Sequence, residues 1–280
     1  MKSTCHLEAP TERCQQVWLV PDLLNQWLST SAAWENEDLA LTSRLPNISG
    51  RHRLVERSGE RLVFDWYIDG FRTRLELDFE PDKEGTLLTL THTALEPIPE
   101  GLLFPPGKYY ADQVWNFALN NLQHFLTTGK KAMEMQWPHN LHRIDLEIVI
   151  DAKPEGVWDF LTTVENLKAS SLVEDTATIE PRVGGRYSFG WVEMEDDKID
   201  GPGFITDWIE GEKLSVSWYG GRDSIVSWQL SGEGKNATRV KFSHTGMIFA
   251  LADTLSYQFG WSEFLLEMKQ FLEEADSTGK

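Results

Sequence analysis

Apolar residues along this chain recur with two different periods, and the two periods alternate in a fixed order. In the second half, Tyr187, Phe189 and Trp191 fall on alternate positions, as do Leu214, Val216 and Trp218. Val226, Trp228 and Leu230 follow the same rule, and so do Val240, Phe242 and His244. A period of two puts each set on one face of a β-strand, with polar residues such as Ser215 and Ser217 on the other. From Tyr257 the period becomes helical, and Trp261, Phe264, Leu265, Met268, Phe271 and Leu272 share one stripe. Ahead of these lie a short alternating strand, Asp145–Ile150, and a helix opened by Pro154 that carries Val157, Trp158 and Leu161. One-sided alternation predicts an antiparallel sheet with a wet back and a front covered by the terminal helix.

The first half repeats the scheme. Leu62, Phe64 and Trp66 alternate, then Phe71, Thr73, Leu75, Leu77 and Phe79, then Leu88, Leu90 and His92. The closing helix there carries Trp115, Ala118, Leu119, Leu122, Phe125 and Leu126. Val17-Trp18 answers Val157-Trp158, and Thr91-His92-Thr93 answers Ser243-His244-Thr245. Trp66 to His92 spans the same 26 positions as Trp218 to His244, and Trp115 to Phe125 the same 10 as Trp261 to Phe271. Matches in register at this period point to an internal repeat. The chain reads as α+β: two tandem helix-grip domains, 1–130 and 144–276, each a curved antiparallel sheet wrapped on a long C-terminal helix. Between them Gly129-Lys130-Lys131 ends a helix and Trp137-Pro138-His139-Asn140 reads as an irregular connection.

The second half is similar to a known family. Its pieces are Pro154-x-x-Val157-Trp158, Gly184-Gly185-Arg186-Tyr187, Lys213-Leu214-x-x-x-Trp218, Thr238-Arg239-Val240, His244-Thr245-Gly246 and Gly260-Trp261-x-x-Phe264-Leu265. In this order they resemble the START-like SRPBCC superfamily, and within it the activator of heat-shock-protein-90 ATPase homologue-like family, over about Leu146–Glu274. The first half departs from that pattern. It lacks the Gly-Gly, and Gly50 to Trp66 spans 16 positions against 33 from Gly185 to Trp218. That difference predicts a degenerate first copy whose sheet is smaller by one hairpin.

Composition narrows the partners. A formal charge of -18 argues against nucleic acid and against anionic membrane surfaces, which are held by clustered Lys and Arg. The run Glu193, Glu195, Asp196, Asp197, Asp200 reads as a solvated hairpin tip, without the spacing of a calcium loop. Cys5 and Cys14 make neither a disulfide framework nor a metal site. No apolar run has the length of a signal core or a membrane span, so a cytoplasmic address is expected. Gly184-Gly185 opens no helix and reads as a strand-entry turn; no cofactor is expected.

Strand parity places His92 and His244 among apolar neighbours, where an imidazole is more often a hydrogen-bonded core group than an acid or base. No nucleophile with a positioned base accompanies them. Glu76, Asp78 and Asp207 alternate away from the apolar stripes, and the remaining histidines lack the helical pairing of a zinc site. The twelve tryptophans carry the stronger hint. A cleft between sheet and helix would be lined by Trp191, Trp208, Trp218, His244, Tyr257, Trp261 and Phe264 in the second domain, and by Trp66, His92 and Trp115 in the first. Such a lining suits a hydrophobic or aromatic small molecule, and a non-catalytic binding module is the expected function. The resemblance implies two alternatives: a co-chaperone-like activator of a heat-shock protein ATPase, and a cyclase-like enzyme of the same superfamily.

Overall fold

The computed structural model describes residues 1–97, 110–136, 142–190, 201–218, 224–247 and 251–278. The chain is α+β and divides into two compact units, Met1–Met135 and Gln136–Lys280.

The first unit begins with strand β1 (Lys2–Leu7) and helices α1 (Thr11–Leu19) and α2 (Pro21–Trp27). Strands β2 (Ser31–Glu35), β3 (Asp38–Thr42), β4 (Gly50–Arg57), β5 (Arg61–Ile68), β6 (Phe71–Pro81) and β7 (Thr86–Ala94) follow, and helix α3 (Tyr110–Thr128) closes the unit. The strands form one antiparallel sheet in the order β1-β7-β6-β5-β4-β3-β2. Between β5 and β6, Asp69 and Gly70 both take positive φ, the two-residue turn that matches the twist of a hairpin. Leu62, Phe64, Trp66, Leu75, Leu77, Phe79, Leu88 and Leu90 are buried with Trp115, Ala118 and Leu122 of α3.

The second unit has strand β8 (Arg143–Ile150), helices α4 (Pro154–Thr162) and α5 (Val164–Leu167), and short strands β9 (Thr178–Ile179) and β10 (Tyr187–Ser188). Strands β11 (Pro202–Ile209), β12 (Lys213–Trp218), β13 (Ser224–Glu233) and β14 (Ala237–Thr245) come next, then helix α6 (Leu251–Thr278). Its main sheet runs β11-β12-β13-β14-β8, and β9 and β10 pair separately. Pro154 opens α4, where its missing N–H costs nothing, and Val157, Phe160 and Leu161 are buried from that helix. The first strand of each unit pairs with the last, β1 with β7 and β8 with β14, and the order of the strands between is the same. A buried threonine repeats a detail: Thr86 donates to Ala9 O at 2.8 Å and Thr238 to Ala152 O at 2.7 Å.

Two expectations need correction. The first unit does not have the smaller sheet: it has seven strands, against five in the main sheet of the second among the described residues. The hairpin β2–β3 supplies the difference, turning at Asn36 with φ 60°. Second, α6 starts at Leu251 rather than near Tyr257, and its 28 residues extend about 42 Å. Phe259 and Leu266, off the Trp261–Phe264 stripe, are buried as well.

Several carboxylates on the outer sheet faces are paired. Arg61 binds Glu76 and Asp78, Lys213 binds Asp207, and Arg239 binds Glu147 and Glu233. Asp65, buried on that face of the first sheet, is held by Arg72 and Arg74. Burial alone would raise its carboxyl, but the two guanidinium groups keep it below the ordinary range.

Candidate functional site

Each unit holds a four-residue box between its sheet and its long helix. In the second unit Trp218 pairs with Ser224 across β12 and β13, and Val226 pairs with His244 across β13 and β14. His244 Nε2 lies 2.6 Å from Ser224 Oγ, and Trp261 of α6 donates its indole N–H to His244 Nδ1 at 3.2 Å. That donor settles the tautomer. Nδ1 accepts, so the neutral ring carries its proton on Nε2 and gives it to Ser224.

The first unit builds the same box from β5, β6, β7 and α3. Trp66 pairs with Thr73, and Leu75 pairs with His92. His92 Nε2 lies 2.7 Å from Thr73 Oγ1, Trp115 Nε1 donates to His92 Nδ1 at 3.0 Å, and Thr73 donates onward to Trp66 O at 2.9 Å. Burial pushes His92 down to about 3, with smaller contributions from the amino terminus and His52, and burial pushes His244 down to about 3. Protonating either ring would also set a second N–H against the indole N–H. Both histidines are therefore neutral, with both ring nitrogens engaged in hydrogen bonds.

Aromatic rings surround the box in the second unit. Trp218 meets Trp261 edge-on at 4.9 Å, and its Nε1 reaches the hydroxyl of Tyr257 at 3.4 Å. Phe189 stacks on Phe264 at 6.0 Å, and Tyr187, whose hydroxyl donates to Leu161 O at 2.8 Å, borders Trp228. Trp218, His244, Tyr257, Trp261 and Phe264 thus come together, with Tyr257 the partly exposed member. Trp208 stands apart in its ring contacts, edge-on to Trp158 of α4 at 4.9 Å. Trp191 and the acidic run 193–200 lie outside the described residues. In the first unit Trp66, His92 and Trp115 come together.

Three features escaped the sequence reading of the site. The first is Trp228, fully buried among Phe242, Trp261 and Phe264, with an Nε1–H that meets no acceptor among the described residues. Trp18 in the first unit shares that condition, set edge-on to Trp27. The second is His52, stacked on Trp66 with centroids 3.5 Å apart and planes 8° from parallel. It donates from Nε2 to Ile48 O at 2.9 Å and accepts the Tyr67 N–H on Nδ1 at 3.2 Å. Burial pushes it down to about 4. The third is Glu263 on α6, raised to about 7 by burial and by the neighbouring Glu267 carboxylate. Glu267 accepts from Ser170 Oγ and Ser171 N, whereas the Glu263 carboxylate has no hydrogen-bond partner among the described residues. No signal in the sequence marks these three, because each depends on what lies across the interior.

Among the described residues no group of three His, Cys, Asp or Glu side chains converges as a metal site. No described helix is long and apolar enough to cross a membrane.

Comparison with solved structures finds several matches. The Aha1 dimer from Colwellia psychrerythraea is 24% identical over 47% of this chain and 96% of that one, with a TM-score of 0.39. A conserved protein of unknown function from Enterococcus faecalis is 25% identical over 46% of this chain and 69% of that one, with a TM-score of 0.37. DynU16, from the dynemicin biosynthetic locus, aligns over 98% of both chains at 15% identity and a TM-score of 0.38. No curated protein matches the chain. Residues 151–273 match the model of the Activator of Hsp90 ATPase homolog 1-like protein family.

Proposed function

We propose that the second unit is a non-catalytic binding module that holds an apolar or aromatic small molecule between α6 and the sheet β11–β14. The observation that carries this reading is the buried Trp228 Nε1–H, which has no acceptor among the described residues. A buried donor left unpaired costs on the order of 1–3 kcal/mol. A ligand with an apolar body and one carbonyl or carboxylate oxygen relieves that cost while its body meets Trp218, Trp261 and Phe264. The saturated His244 supports binding over turnover, since its Nε2–H and its Nδ1 lone pair are both already hydrogen-bonded within the protein. We take the two units to be copies of one ancestral domain and the protein's address to be the cytoplasm.

Native mass spectrometry of the full chain, purified from cells, tests the function. A discrete mass excess, released as an apolar molecule on denaturation, is the expected result. Protein that is uniformly at its sequence mass, and that shows no saturable uptake of apolar probes, overturns the reading.

The family match favours a second reading, in which the segment 151–273 contacts a heat-shock protein and stimulates its ATPase. An ATPase assay with the chaperone from the same cells separates the two: stimulation by apo protein supports this reading, and unchanged turnover removes it. Fold similarity does not carry the activity by itself.

A further inference from the structure

The first strand of each unit, β1 or β8, is an edge of its sheet. An edge strand turns the backbone N–H and C=O of every second residue outward, where another strand can bind them. In β8 these groups are covered. Gln136 donates from Nε2 to Glu147 O at 2.9 Å and accepts the Glu147 N–H on Oε1 at 3.1 Å. Lys269 of α6 donates to Val149 O at 2.8 Å, and Glu273 accepts the Asp151 N–H at 2.8 Å. In β1 the outward residues are Lys2, Thr4 and His6, because Met1 exchanges both of its backbone hydrogen bonds inward with His92 of β7. Register matches Thr4 to Glu147 and His6 to Val149: Cys5 pairs with Leu88 and Ile148 with Val240, each 4 positions before the box histidine. Gln123 of α3 repeats the Lys269 contact, donating to His6 O at 2.9 Å. The Gln136 contact has no counterpart. The outward N–H and C=O of Thr4 meet no partner among the described residues.

We propose that β1 is a docking edge for a second copy of this chain, the two strands running antiparallel about a two-fold axis through Thr4. Thr4 then pairs with its own counterpart, and Lys2 with His6 of the second copy. Each such pair exchanges two backbone hydrogen bonds, and His6 O has a second lone pair beside the one that Gln123 occupies. The side chains suit this register. Ser3 reaches Asn116 of α3 and Leu7 is buried, so Lys2, Thr4 and His6 turn to the outer face of the sheet. There Lys2 is exposed and makes no ion pair among the described residues. His6, which would lie opposite it, binds Asp82 at 3.0 Å. The N–H of Glu84, the His6 ring and the N–H of Gly85 hold the Asp82 carboxyl below its ordinary range. The ammonium of one copy thus comes beside a fixed carboxylate of the other, and two threonines face each other between these pairs. The covered edge of β8 is closed to the same use. This pairing lies apart from the boxes and does not rest on the binding function proposed above.

Sedimentation velocity of the full chain over a range of concentrations tests this, in about 0.15 M salt, where the mutual repulsion of two chains of charge -18 is screened. Wild type is expected to pass from monomer to dimer as its concentration rises. The Thr4 N–H points away from β7, so Thr4→Pro keeps the ladder inside the unit and removes a donor from the edge. That variant is expected to stay monomeric with unchanged circular dichroism. Lys2→Glu does not depend on Thr4→Pro folding. It is expected to weaken the dimer about tenfold, since the two-fold axis reverses the charge at two contacts at once. In the wild-type dimer the Thr4 amide should exchange with solvent more slowly than in the monomer. Wild type that remains monomeric at every concentration overturns the proposal and leaves the edge to an extended segment of a different protein. A dimer that keeps its affinity in both variants, with a Thr4 amide exchanging as fast as in the monomer, moves the contact to another face and overturns it too.

Discussion

Trp261 and His244 are joined by an indole N–H donated to Nδ1 at 3.2 Å, and Trp115 and His92 repeat the bond at 3.0 Å. In both units the bond runs from the long helix to the strand that precedes it in the chain, β14 or β7, so it fastens the helix to the sheet it covers. A neutral imidazole accepting on Nδ1 has one proton left, on Nε2, and Ser224 or Thr73 receives it. The box joins three strands and a helix through groups whose hydrogen-bonding capacity is used inside a dry interior, where such bonds are strongest and their loss is most costly.

Removing one donor should therefore cost more than removing surface. Trp261→Phe keeps most of the ring but leaves His244 Nδ1 buried and unpaired, and the expected loss is about 1–3 kcal/mol beyond that of the smaller ring. Trp115→Phe should behave alike in the first unit. Urea denaturation followed by tryptophan fluorescence measures both; a loss no larger than that of a typical surface substitution would contradict the structural role.

The three buried histidines make stability fall in mild acid. His92 and His244 sit at about 3 and His52 at about 4 in the folded chain, against an ordinary value of 6.5. Their folded values are depressed, so the unfolded chain binds the extra protons between those limits. The contribution is fully present above pH 6.5 and is lost as pH falls toward 4 and then 3. Each group contributes a slope of up to about 1.4 kcal/mol per pH unit. Denaturation at pH 7 and pH 5 should show this dependence in wild type, with a shallower one in His244→Gln. An identical slope in the variant would mean that His244 is not held neutral.

Glu263 acts in the opposite sense. Its folded value, about 7, lies above the ordinary 4.5, so the folded chain holds the proton more tightly. Its contribution is present below pH 4.5 and is lost as pH rises through 7. Glu263→Gln, which mimics the protonated carboxyl, should be more stable than wild type at pH 8 by about 1–3 kcal/mol and gain little at pH 4.5. Thermal melts at the two pH values check this; a gain of the same size at both would assign the effect to something other than titration.

Trp228→Phe removes the unpaired N–H and keeps an aromatic ring. Empty protein should lose little stability, because an orphaned donor goes with the smaller ring. Retention of the apolar ligand should drop about tenfold, the worth of one hydrogen bond. Competition titration against wild type reads the difference, and equal affinity would exclude Trp228 as the polar contact.

Much of this architecture was legible in the sequence because hydrophobic parity survives any loop length. The 26-residue interval from Trp66 to His92 and from Trp218 to His244 marked two corners of each box. The third corner was hidden by compensation. Trp66 pairs with a residue 7 positions on, Thr73, and Trp218 with one 6 positions on, Ser224. The next hairpin restores the register, with Leu75 to His92 one residue shorter than Val226 to His244. The hairpin β2–β3 was missed because Ala32 and Ala33 give little contrast between faces, and its presence reverses the expected order of sheet sizes. His52 and Trp228 were unreadable as site features for a different reason. Whether a ring stacks or a donor is orphaned depends on the partner across the core, which the pattern along one strand does not contain.

The central claim is that the polar centre of each unit is a neutral, Nε2-protonated imidazole locked between an indole and a hydroxyl. Long-range nitrogen–proton correlation spectra of the histidine rings, recorded from pH 7.5 down to pH 5, test it most directly. Three rings with a bare Nδ1 and a protonated Nε2, those of His52, His92 and His244, unchanged across the range, with one lost in His92→Gln and another in His244→Gln, are the result the account predicts. Titration near 6.5 of either ring that disappears in His92→Gln or His244→Gln, or a proton on its Nδ1, would contradict it.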